Sequence, residues 1–264
     1  MTETISDSFA LVGRHMRHIR RMPEQLIGIT ILPVAFVVVF GYLFGSAMEV
    51  PGNQSYQEYI MAGIFAQVML SNISTTALGV AGDLNNGIVD RFRSLPISRS
   101  SVLLGRTVSD AVLATWTCAV MAGVGYAIGW RVHEGALKAL AAFALLILTG
   151  FALSWLGALL GLVLRSPETV SALSSIIIMP LAFLSNAFIP LQGLPGWLST
   201  IAEWNPISTI VSASRELFGN TAGPASDALP AQHPLPAALL VTAVLLAAVI
   251  PLANRAYQRA AASR

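Results

Sequence analysis

Apolar residues in this chain do not alternate with polar ones; they run in blocks. Six blocks stand out, at about Leu26–Gly45, Tyr59–Ala81, Val102–Trp130, Ala136–Leu164, Thr169–Phe188 and Leu235–Leu252. Each is close to or longer than the roughly 20 residues of helix that cross a hydrocarbon layer about 30 Å thick. Backbone groups in lipid must bond within the protein, and the blocks lack the alternation over roughly ten residues that marks a membrane barrel strand. The pattern predicts an all-α membrane protein with six transmembrane helices, two of them kinked at Pro33 and Pro180.

Three segments outside the blocks carry patterns of their own. At about 100° per residue, Ile5, Phe9, Val12, Met16 and Ile19 fall within an arc of about 80°, with Arg14, Arg17, His18 and Arg21 away from it. Residues 1–22 therefore read as an amphipathic helix on a lipid surface, with a solvated basic tail as the alternative. The HxxH pair His15 and His18 has no further ligands beside it and reads as part of the basic face. In the loop at 83–98, Ile88, Phe92 and Leu95 share one face, Asp90, Arg91 and Arg93 lie on others, and Pro96 ends the turn. The result is a short amphipathic helix, equally an anchor for membrane topology or a docking element for a cytoplasmic partner. Residues 189–234 are too apolar for a free loop, and Pro195 and Pro206 break them too often for a span. Two short re-entrant or interfacial helices are expected, with Trp197 and Trp204 at the membrane–water boundary, followed by an exposed loop from Gly219 to Pro236.

Composition sharpens this picture. The chain is 55% hydrophobic and 11% charged, with a mean hydropathy of +0.70, against roughly 25% charged residues in soluble domains. Placing the N-terminus in the cytoplasm puts 12 of the 15 basic residues inside and leaves only Arg131, Lys138 and Arg215 outside. Both termini are then cytoplasmic in a bacterial inner membrane, and 189–234 is extracellular. The first span directs insertion, since the N-terminus has no short apolar core with a cleavage site. The net charge of +2 forms no basic stripe for nucleic acid, and Cys118, the single cysteine, has no partner for a disulfide or a CxxC site.

Candidate chemistry is sparse. No HExxH, GxSxG or CxxC occurs, and no GxxxxGK[ST] loop cradles a triphosphate, so neither catalytic residues nor a metal site is expected. Gly123, Gly125 and Gly129 lie in an apolar block and not after a strand, which excludes a dinucleotide fingerprint. Asp110 is the main acidic residue within a block; Arg106, four residues earlier, offers it an ion pair, with proton coupling or gating as the alternative. Gly41/Gly45, Gly125/Gly129 and Gly157/Gly161 have GxxxG spacing, which suits close helix packing within one chain or between two. Ser71, Asn72, Ser74, Thr75 and Thr76 of the second block, and Asn186 near the end of the fifth, either bond between helices or border a substrate path. With so few charges at membrane depth, such a path suits amphipathic or hydrophobic cargo.

The run Gly87-Ile-Val-Asp-Arg-Phe-Arg-Ser-Leu-Pro-Ile-Ser98 followed by Val102-Leu-Leu-Gly-Arg106 resembles the signature loop of the ABC-2 type permeases. The likeness is greatest to the membrane subunits of actinobacterial daunorubicin and multidrug resistance exporters. Leu194-Pro-Gly-Trp197, Trp204-Asn-Pro206 and Arg215 are similar to that family's extracellular region, and the resemblance covers essentially the whole chain. It implies a type V exporter-like permease that dimerises, most simply as a homodimer, and uses ATP and magnesium on a separate ATPase subunit. That subunit would dock on Asp83, Asn86, Gly87, Asp90, Arg91, Phe92, Arg93, Leu95 and Pro96, while Asn72, Thr75, Thr76 and Asn186 would border the cargo path. The residues taken without the resemblance leave open an ion-gradient-driven secondary transporter, an intramembrane enzyme and a membrane assembly factor.

Overall fold

The computed structural model describes residues 23–44, 50, 55–86, 99–191, 194–221 and 228–262, and every regular element among them is helical. They are α1 (Pro23–Val39, continued by a π-helical turn over Phe40–Phe44), α2 (Tyr56–Asn85), α3 (Arg99–Ile128), α4 (Gly135–Leu164), α5 (Pro167–Phe183), α6 (Gly196–Glu203), α7 (Pro206–Phe218), α8 (Leu229–Gln232) and α9 (Pro234–Ala262). Four helices are long and apolar enough to cross a membrane, over Tyr56–Asn85, Val102–Ile128, Gly135–Leu164 and Pro234–Arg259. The first and fifth apolar blocks form shorter apolar helices, Thr30–Leu43 and Pro167–Phe183. The amphipathic helix expected over 1–22, with His15 and His18, lies outside the described residues, as do positions 87–98 of the loop.

Helix ends explain where blocks and helices part company. α3 stops short of Trp130 because Gly129 takes a left-handed conformation (φ 112°) and the Trp130 N–H turns back to the Gly125 carbonyl at 2.9 Å. α5 ends at Phe183 instead of Phe188. Its final carbonyls, at Leu181 and Leu184, accept from the Asn205 side-chain amide at 3.0 and 2.7 Å, while Asn205 Oδ1 accepts the Ile207 N–H that opens α7. One asparagine thus closes one helix and starts another. α9 runs well past Leu252, because Ala253 and Tyr257 stay buried in an apolar cluster with Trp155, Ala158 and Leu162 of α4 after the surface positions turn basic. The expected exposed loop after Gly219 is likewise modified: Asn220 is buried, and α8 and the start of α9 occupy part of the segment.

α2 and α4 form the centre of the bundle and make its most extensive contact. Gly157 and Gly161 permit it, since a Cβ at either position would collide with the Ile73 or Ala77 carbonyl of α2. The Gly157/Gly161 spacing is therefore an intrachain packing device. α3 and α9 flank α4, α5 lies on α2, and α7 fits against α2, α4 and α9. Phe65, Trp130, Phe143 and Phe218 close one end of this core with ring centroids 5.2 to 6.0 Å apart. Large apolar side chains stay exposed on the outer helices, among them Ile31 and Leu32 of α1, Ile176 and Met179 of α5, and Leu240 and Val244 of α9. Surfaces of this kind suit lipid or another membrane chain far better than water.

Candidate functional site

Polar side chains gather at the two ends of α2. At the end leading into the 87–98 segment, Arg106 of α3 lies across Gly79 of α2, so close that a Cβ there would overlap the guanidinium. Its Nε is 3.6 Å from Asp110 Oδ1 and its Nη1 is 3.7 Å from Asp83 Oδ2. A third nitrogen, Nη2, reaches the Thr75 carbonyl at 3.5 Å. Asp110 is buried, and its other oxygen accepts a 2.6 Å hydrogen bond from the Thr76 hydroxyl. Arg106 Nε is itself buried without a hydrogen bond, so the pair is held by charge at a distance and not by close donor–acceptor contact. The local Arg106–Asp110 pair expected from their spacing is present, and it is joined to α2 on both sides.

At the opposite end the arrangement is tighter. Arg215 of α7 is 4% exposed. Its Nε donates to the Tyr59 carbonyl at 3.0 Å and its Nη2 to the carbonyls of Asn186 and Ala187 at 2.8 and 3.2 Å, with the guanidinium 3.6 Å from the Tyr59 ring centroid. Tyr59 Oη donates to the same Asn186 carbonyl at 2.8 Å, and Tyr56 Oη to the Phe188 carbonyl at 3.2 Å. The turn following α5 is thereby tied to both α2 and α7. Close by, the Trp130 indole N–H donates to Asn220 Oδ1 at 3.0 Å, and Asn220 Nδ2 donates to the Arg131 carbonyl at 3.0 Å. His133 Nε2 meets Glu58 Oε1 at 2.8 Å. Glu134 is bonded to Lys138, and that hydrogen bond holds its carboxyl below the usual glutamate range.

The four residues expected along a cargo path are not gathered at one point. Thr76 is fully buried and committed to Asp110. Thr75 is exposed, with its hydroxyl bonded to the Ser71 carbonyl in the preceding turn at 3.1 Å. Asn72 is half-buried, its side-chain nitrogen unpaired and turned toward Gly150 of α4. Asn186 lies at the Arg215 end, about 25 Å from Thr76 along the α2 axis, where its side chain donates to Ser212 Oγ at 2.7 Å. Of the docking residues, Asp83 and Asn86 are at the end of α2, Asp83 beside Arg106 and Asn86 exposed. Gly87, Asp90, Arg91, Phe92, Arg93, Leu95 and Pro96 lie outside the described residues. The distribution of basic residues places Arg215 on the outer side without foreseeing its burial, and no local pattern in the Pro206–Phe218 stretch, which also carries Glu216, signals it.

The amino-acid sequence has relatives among known proteins. The family model described as ABC-2 type transporter matches residues 7–218. The chain belongs to the ABC-2 type transporter family. The chain is 33% identical over 254 residues to the daunorubicin resistance ABC transporter permease protein DrrB1 of Streptomyces coeruleorubidus, covering 96% of this chain and 87% of the relative. Similarity to the doxorubicin resistance ABC transporter permease protein DrrB of Mycobacterium tuberculosis is 32% over 249 residues, 88% of this chain and 86% of that one. The probable doxorubicin resistance permease DrrC of the same species is 26% identical over 237 residues, 89% and 82% of the two chains. This ABC-2 protein is accordingly a multi-pass membrane protein and the permease component of an ABC exporter, which displaces the secondary-transporter, enzyme and assembly-factor readings.

Proposed function

We propose that this permease moves hydrophobic or amphipathic compounds, with drugs, antibiotics and lipids as the candidate classes, outward across a bacterial inner membrane. In this reading it works as a dimer, most simply of two identical chains, powered by a separate ABC ATPase subunit that carries ATP and magnesium. The observation that carries the proposal is the match across almost the full chain to a permease named for daunorubicin resistance. Six spans with both termini in the cytoplasm agree with the distribution of basic residues, 12 inside against 3 outside. The two short apolar helices then serve as the first and fifth spans, and α6 and α7 as extracellular or re-entrant helices, with Trp197 and Trp204 exposed toward the interface.

The loop at 83–98 receives the ATPase, and the exposed polar edge of α2 at Ser71 and Thr75 faces the cargo route. Alternating access requires that the ATP-bound partner favour one permease conformation over the other, since a ligand shifts an equilibrium only through differential affinity. The test is outward transport of doxorubicin, followed by its fluorescence, in vesicles holding the chain with a co-expressed ABC ATPase. ATP-dependent efflux that disappears in a Gly87/Arg91/Leu95 loop variant, with insertion intact, supports the reading. Efflux that ignores ATP and follows an imposed proton gradient overturns it.

A further inference from the structure

We infer that Arg106 is a releasable clasp, positioning the two flanks of the 83–98 loop relative to the interior of the α2–α3 pair. The inference rests on the exporter reading above and adds to it the residues through which a push on the loop reaches the membrane interior.

The geometry has three parts. Asp83, on the last turn of α2, and Arg106, on the second turn of α3, stand at the two roots of the loop and face each other across 3.7 Å. Asp110 lies one turn deeper in α3 and is 4% exposed, with Thr76 of α2 bonded to it at 2.6 Å. Arg106 spans the gap between the exposed carboxylate and the buried one, and the missing side chain of Gly79 supplies the space it occupies. A displacement of the loop that separates its roots must part Arg106 from Asp83, draw the guanidinium off Asp110 as it follows Asp83, or drag α3 along α2.

Arg106 is suited to release. Its carboxylate contacts, at 3.6 and 3.7 Å, are longer than charge-assisted hydrogen bonds of roughly 2.7–2.9 Å, and its Nε is unsatisfied. The side chain remains 19% exposed, so water can take over its bonds when it moves. Asp110 cannot do the same, because burial leaves it dependent on Thr76 and Arg106. Two states of unequal energy follow: one with Asp110 paired to the guanidinium, one with it held by Thr76 alone. A bistable element at the root of the docking loop is what a conformational relay requires.

Two variants separate the clasp from a merely structural pair. Asp110→Asn removes the buried charge while keeping an acceptor for Thr76. Gly79→Ala keeps every charge, favours helix, and evicts the guanidinium by placing a methyl group where it lies. Each is measured as the assembled complex in vesicles, for ATP hydrolysis and for doxorubicin exported per ATP, alongside wild type. The clasp predicts that hydrolysis and subunit association persist in both variants while export per ATP falls by about fivefold or more, the range of ordinary allosteric coupling. Unchanged export per ATP in both variants overturns the clasp and leaves the exporter reading standing. A wild-type complex without ATP-driven export removes the exporter reading, and the clasp with it.

Discussion

The two ends of α2 each hold a buried or half-buried arginine from another helix, and they hold it in opposite ways. Arg215 meets no carboxylate among the described residues; it donates to three backbone carbonyls at 2.8 to 3.2 Å and lies on the Tyr59 ring. Arg106 has two carboxylates and no comparably short bond. Backbone carbonyls do not change rotamer, so a guanidinium fitted to three of them fixes two chain segments, α2 and the turn after α5, against α7 at once. Carboxylates on flexible side chains, partly in reach of water, hold a cation without fixing it. The difference separates a permanent staple from a joint that can open. The staple closes the end where α5, α7 and α2 meet; the joint sits at the roots of the 83–98 loop.

The largest effect is expected at the staple. Arg215→Ala removes the guanidinium donations to the Tyr59 and Ala187 carbonyls and leaves the Asn186 carbonyl with Tyr59 Oη alone, and is expected to destabilise the folded chain by about 3–5 kcal/mol, read as thermal unfolding in detergent. Arg215→Lys keeps the charge but not the planar fork, and recovers less than half of that loss. An unchanged melting temperature in Arg215→Ala would contradict the staple. Next comes Asn205, which serves α5 and α7 together: Asn205→Ala should cost about 2 kcal/mol. Asn205→Asp keeps the acceptor for the Ile207 N–H while losing both donations to α5, so it should fall between wild type and Asn205→Ala; equal losses would show that the cap of α7 contributes nothing.

At the joint, stability and function should part. Asp110→Asn is expected to alter stability by only about 1 kcal/mol in either direction, because Thr76 retains an acceptor and Arg106 retains Asp83. A loss as large as that of Arg215→Ala would make the inner arginine a second staple. The smallest effect is expected away from both arginines, at the αL turn between α4 and α5. Arg165 is the one non-glycine residue with positive φ among the described residues, at 58°. Arg165→Gly should stabilise by up to about 1 kcal/mol by relieving that conformation, and destabilisation would mean that its side chain makes an interaction that outweighs the strain.

Much of this architecture could be read in advance because it follows from local properties. The blocks at Tyr59–Ala81 and Ala136–Leu164 lie within α2 and α4, since an apolar run of that length has few alternatives to helix in lipid. The Arg106–Asp110 pair was legible from its spacing on one helix. Boundaries were less legible where a distant residue decides them: the end of α5 depends on Asn205, more than twenty positions later. Nor could hydropathy reveal that α9 continues beyond Leu252, because Ala253 and Tyr257 alternate with Arg255 and Arg259 and become a buried face only in a cluster with residues of other helices, among them Trp155 and Ala158 of α4.

The amino-acid sequence by itself determined the helical membrane character of this chain, the approximate position of its apolar helices and its family, since these depend on composition, run length and motifs within one stretch of chain. Tertiary structure alone decided which polar residue meets which. Local patterns place Arg215 on the outer side and say nothing of its burial, which arises because carbonyls from Tyr59, Asn186 and Ala187 converge on it. Arg106 has its second carboxylate and its room only because Asp83 and Gly79 arrive on a neighbouring helix. The energy of a buried charge is set by the groups that surround it in space, and those groups come from parts of the chain that no local pattern connects.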